Sequence, residues 1–107
     1  MKRWKKCKNQ SSGARLMDRI CKKFIVYGYV QGVGYRYFAY KSAERNRIVG
    51  YAKNVFDGTV EILAIGTLED LEEFHKDLLK GPMRARVEKI IVEECPLTFD
   101  FDSFNVY

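Results

Sequence analysis

Residues 30–36 read VQGVGYR and residues 50–54 read GYAKN. In the first stretch Gly32 and Gly34 alternate with apolar residues, and Arg36 follows where a helical pattern begins. A strand that turns into a helix through glycines points several backbone N–H groups one way, and the helix dipole adds about half a positive charge there. Glycine also lets the backbone approach a ligand with no side chain between them. The planar fork of Arg36 can clamp two oxygens of a phosphate or carboxylate. Gln31, Gly32, Val33, Gly34, Tyr35 and Arg36 are therefore read as an anion cradle.

Spacing excludes several known cradles. A Walker loop needs Lys-Ser/Thr after its last glycine, and a dinucleotide fingerprint needs a third glycine where Tyr37 stands. A cysteine-dependent phosphatase loop would carry its nucleophile six positions before the arginine, and that position is Val30. What remains is anion binding without a protein nucleophile or a metal. Such a site can still hydrolyse a substrate with a good leaving group, by positioning water and stabilising charge. Asn54, in GYAKN, has the donor and acceptor needed to hold that water with a lone pair aimed at phosphorus. No carboxylate, cysteine or histidine offers itself as a general base.

The elements that must position these residues follow from periodicity. KKFIVYGYV (22–30) is rich in aromatic and β-branched residues and reads as a strand. RYFAYKSAERN (36–46) carries Phe38, Ala39, Ser42 and Ala43 at helical spacing, with Asn46 expected to stop the helix in a left-handed conformation. IVGYAKNV is a second strand, FDG a turn at Gly58, and TVEILAI a cleanly alternating third strand. Thr67 can cap a second helix with Leu68, Leu71, Phe74, Leu78 and Leu79 apolar and acidic residues in its first turns, ended by Gly81-Pro82. RARVEKIIVEE is the fourth strand, and its broken alternation places a bulge between Val87 and Ile90. FDFDSFNVY adds a short edge strand.

The order β-α-β-β-α-β with right-handed crossovers gives a ferredoxin-like α+β sandwich. It is a four-stranded antiparallel sheet of order 4-1-3-2 with both helices on one face. One strand then separates Asn54 from the glycine loop. The same topology makes Cys21 and Cys95 neighbours, and they are expected to stand close without a bond.

The 107 residues fit one domain. Residues 1–20 carry seven basic side chains against Asp18, whereas residues 21–107 carry twelve basic against thirteen acidic. The net charge of +5 thus belongs to a basic N-terminal extension, residues 1–20, and not to the domain, residues 21–107. Three cysteines, an odd count with no C-x-x-C pair and no signal peptide, point to a cytoplasmic protein. No metal or cofactor is expected, and no apolar run is long enough to span a membrane. The single histidine, His75, reads as structural.

GYVQGVGYR, followed by GYAKN, Asp57-Gly58, Val60 and Gly66, strongly resembles the acylphosphatase family, as do the GP and ARVE stretches at 81–88. The resemblance covers roughly residues 22–107. It implies metal- and cofactor-independent hydrolysis of the carboxyl-phosphate bond of acyl phosphates to a carboxylate and inorganic phosphate. Carried over, Arg36 and the loop amides of Gln31–Tyr35 hold the phosphoryl group, Asn54 positions the water, and the substrate's own phosphate takes the proton. Tyr35 stands where the family usually has Phe, and Asn46-Arg47 where Leu-Gly is common.

The topology also serves RNA recognition motifs, but TVEILAI lacks their basic-glycine-aromatic signature and the domain is slightly acidic. Nucleic acid is therefore not the expected partner. The chain reads as a monomer acting on a small acyl phosphate, and an RNA-binding or regulatory ligand-binding module on the same topology is the alternative.

Overall fold

The computed structural model describes residues 19–97 and 101–107. Its elements are β1 (Ile20–Tyr29), α1 (Tyr35–Arg45), β2 (Val49–Asn54), β3 (Val60–Gly66), α2 (Leu68–Lys80), β4 (Arg86–Cys95) and β5 (Phe104–Val106). The sheet order is β4-β1-β3-β2-β5. The first four strands are antiparallel in the expected 4-1-3-2 order, while β5 joins β2 in parallel and makes the whole sheet mixed. The C-terminal segment thus crosses from the β4 edge to the opposite edge.

Strand alternation decides the core. Phe24 and Val26 of β1, Val60, Ile62 and Ala64 of β3, and Ala52 of β2 face the helices and are fully buried. Ala39 and Ala43 of α1 and Leu71, Phe74 and Leu78 of α2 meet them in the same cluster, so both helices cover one face. His75 is half-buried, with its ring 5.3 Å from that of Phe24. Burial and the nearby Lys22 charge lower its pKa.

The register slips where Tyr27 pairs with Lys89 and Gly28 with Val87, leaving Glu88 as the bulged residue inside the expected interval. The first helix ends differently from expectation. Asn46 has φ −104, and the left-handed residue is Arg47, at φ 58. Ile48 N–H donates to Ala43 O at 2.8 Å and Arg47 N–H to Glu44 O at 3.4 Å, which is the Schellman pattern with arginine where glycine usually stands. Asn46 instead spends its side chain on the Ser42 carbonyl, at 2.9 Å.

A second correction concerns the cysteines. Cys21 and Cys95 pair directly in the β1–β4 register, with Cα atoms 5.3 Å apart, and they form a disulfide. That separation lies within the range a disulfide spans without backbone movement. Apart from Arg19 and Ile20, the basic extension read at residues 1–20 lies outside the described residues.

Candidate active site

The end of the sheet where β1 runs into α1 gathers the residues singled out above. Val30 and Val33 are buried and anchor the loop into the core. Between them the chain turns through Gly32 (φ 76) and reaches Gly34 (φ 83), the N-cap of α1. Both glycines are left-handed, a conformation that costs other residues roughly 1–2 kcal/mol. A Cβ on either would meet nothing within 4 Å, so the conformation and not crowding demands glycine, and the space over the loop is open.

Gly34 supplies no side-chain cap, and the first turn of α1 holds no acidic residue. Phe38 N–H closes the helix on Gly34 O at 3.0 Å. The amides of Gly32 through Tyr37 find no acceptor among the described residues. A cluster of unspent donors at an uncapped helix start is suited to an anion.

Tyr35 is buried, and its hydroxyl donates to Leu78 O at 2.6 Å. That bond ties α1 to α2, and burial pushes the pKa of the hydroxyl upward. Arg36 is half-buried and donates through Nη1 to the main-chain oxygen of Tyr107. Tyr107 is held at this end by its own N–H, which donates to Ala52 O at 2.9 Å.

Asn54 ends β2, on the same sheet face as the buried Gly50 and Ala52, and its exposed side chain makes no hydrogen bond among the described residues. It is tied to the cradle through Gln31. The Gln31 Nε2 donates to Val55 O at 2.7 Å and Thr59 O at 2.9 Å, spanning β3 to grip the turn next to Asn54. The turn is itself closed by Val55 N–H on Thr59 O at 2.9 Å. Asp57 is the acid of this turn, and its Oδ1 accepts from Thr59 Oγ1 at 2.7 Å and Thr59 N–H at 3.0 Å. Those bonds lower its pKa and keep it ionised, a poor base.

The structure therefore brings Gln31, Gly32, Val33, Gly34, Tyr35, Arg36 and Asn54 to one end of the sheet. Sequence reasoning missed the Gln31 side-chain tether and the Tyr107 contact to Arg36. Both join residues far apart in the chain, by single side chains that leave no periodic trace. The fold and site together define a ferredoxin-like protein whose glycine-rich helix start stands at the same end of the sheet as a polar strand end.

Residues 22–106 match the family model described as acylphosphatase. The chain is 45% identical over 85 residues to an acylphosphatase of Pasteurella multocida, covering 79% of this chain and 94% of that one. The structure of the Bacillus subtilis acylphosphatase superposes with TM-score 0.79 at 35% identity, over 82% of this chain and 98% of that one. A Coxiella burnetii acylphosphatase superposes with TM-score 0.81 at 31% identity, over 87% and 97%. The chain belongs to the acylphosphatase family. No described helix is long and apolar enough to cross a membrane.

Proposed function

We propose that residues 21–107 form a catalytic domain that hydrolyses acyl phosphates at the end of the sheet just described, with residues 1–20 an extension outside it. The observation that carries this reading is the Gln31 bridge, which holds the open donors of the α1 start beside the turn that carries Asn54. The phosphoryl oxygens of the substrate accept from the amides of Gln31 to Arg36 and from the Arg36 guanidinium. Phosphate takes the place of the Tyr107 oxygen that the Arg36 guanidinium holds in the free protein.

Asn54 holds a water through its amide, with the lone pair toward phosphorus. The water oxygen bonds to phosphorus as the bond from phosphorus to the acyl oxygen breaks, and the carboxylate leaves with that electron pair. The proton goes to a phosphate oxygen, since Asp57, the acid of the turn, is committed to Thr59. Positioning and charge stabilisation supply the rate enhancement, because no group here forms a covalent intermediate.

The same reading has the protein working in the cytoplasm as a monomer on a small molecule. Fractionation of the source cells tests the compartment, and recovery of the protein outside the cytoplasmic fraction would refute that part of the reading. The test of the activity is the initial rate of benzoyl phosphate hydrolysis with chelator present and spontaneous decay subtracted. Rapid metal-independent turnover is expected, and turnover no faster than background by folded protein would refute the reading.

A further inference from the structure

The strand order sets a direction at the cradle. The glycine loop leaves β1, which lies between β4 and β3, and Asn54 ends β2 beyond β3. In phosphoryl transfer the attacking and leaving oxygens stand roughly in line on phosphorus. Under the hydrolytic reading above, the water held by Asn54 enters from the β2 side. The acyl group therefore leaves toward β4 and the turn that precedes it.

That flank carries spare cations. Tyr29, the last residue of β1, pairs with Arg86, the first of β4. The turn from α2 into β4 is closed by Ala85 N–H on Pro82 O at 3.1 Å and carries Arg84. It is seated against Tyr35 of the cradle: the Tyr35 hydroxyl donates to Leu78 O, and a Cβ on Gly81 would stand 3.4 Å from Tyr35 Cε1. Arg84 and Arg86 are exposed and make no ion pair or hydrogen bond among the described residues. Residues 78–92 hold Lys80, Arg84, Arg86 and Lys89 against Glu88 alone. Lys89 is engaged, its Nζ lying 4.7 Å from the centre of the Tyr27 ring. The Asn54 flank has no such surplus, since Lys53 pairs with Glu61 at 3.7 Å and the turn adds the ionised Asp57.

Charge on an edge strand also guards against sheet-to-sheet association, whatever its sign. That need does not account for the change of sign along β4, from Arg86 at the cradle end to Glu93 and Glu94 at the far end. We propose that Arg84 and Arg86 form a subsite for a second carboxylate on the acyl group, so that monophosphates of dicarboxylic acids are the preferred substrates. A guanidinium fork matches a planar carboxylate, which an uncharged acyl group does not offer. The inference rests on the hydrolytic reading and adds to it the class of acyl group.

The test compares kcat/KM for para-carboxybenzoyl phosphate with that for its uncharged analogue, para-carbamoylbenzoyl phosphate, after subtracting spontaneous decay. Intrinsic reactivity cancels when the ratio of a variant is set against that of the parent. Arg84→Gln/Arg86→Gln should lower the ratio by ~5-fold, the scale of two exposed charge pairs. The parent's ratio should fall by a similar factor in about 0.5 M NaCl, where the Debye length is roughly 4 Å. Arg19→Gln/Lys22→Gln removes the same charge at the other end of β1 and should leave the ratio near that of the parent. An equal fall in that control would mean that net charge alone is sensed, and would overturn the subsite. Turnover of both compounds with a ratio that Arg84→Gln/Arg86→Gln does not move would overturn the subsite while leaving hydrolysis standing. Turnover of neither would overturn the hydrolytic reading and the subsite with it.

Discussion

Helix α2 begins with its donors taken: Thr67 Oγ1 accepts the Asp70 amide at 3.1 Å, the Thr67 carbonyl accepts from Leu71, and Glu69 and Asp70 offset the dipole. Helix α1 begins on a left-handed glycine with no cap and no acid in its first turn. The first arrangement is what helix stability alone favours. The second forgoes that stabilisation, which makes sense only where something else satisfies the amides. The two ends of the sheet differ in the same sense. One is closed by the Cys21–Cys95 bond, and the other leaves Asn54 and the loop amides open.

Substitutions at the two helix starts should therefore read out in different measurements. Arg36→Ala has the largest expected effect: it should lower kcat/KM for benzoyl phosphate by ~10³-fold or more and weaken phosphate binding in parallel. Asn54→Ala should lower kcat by ~10²–10³-fold, while the Kd for inorganic phosphate in a calorimetric titration stays near that of the parent. A fall in phosphate affinity as large as the fall in rate would remove the water-positioning role.

At the closed end, reduction of Cys21–Cys95 opens a span of 74 residues, which should cost on the order of 2–4 kcal/mol of stability. Thermal unfolding with and without reductant should differ by at least ~10 °C, with turnover below the transition unchanged. The smallest effect is expected for Thr67→Ala, which should cost about 1 kcal/mol in denaturant unfolding and leave KM unmoved. If it altered KM as strongly as a change at Gly34, the contrast between the helix starts would lose its meaning.

Legibility in the sequence followed the range of the signal. TVEILAI and the Leu71–Phe74–Leu78 stripe announce their elements because alternation and helical spacing are local, and the β4 bulge shows as a break in that alternation. The Thr67 cap was readable for the same reason. The first helix's end was not, because Asn46 and Arg47 compete for the left-handed position and long-range contacts decide between them. Arg47 reaches Asp70 at 2.7 Å while Asn46 turns back to Ser42. Topology placed Cys21 opposite Cys95, yet bonding depends on the register to a single residue, which periodicity alone does not fix. The glycine turn into α1 was legible from Gly32 and Gly34, whereas the Gln31 tether depends on where Val55 and Thr59 carbonyls point after folding.

The most direct test of the central claim is an ¹⁵N-resolved titration with inorganic phosphate, following the amides at both helix starts in one experiment. Saturable shifts at Gly32 through Arg36, with Leu68 through Leu71 unmoved, are the predicted result. Shifts centred on Leu68 through Leu71, or none at the α1 start at phosphate levels that inhibit turnover, would contradict it.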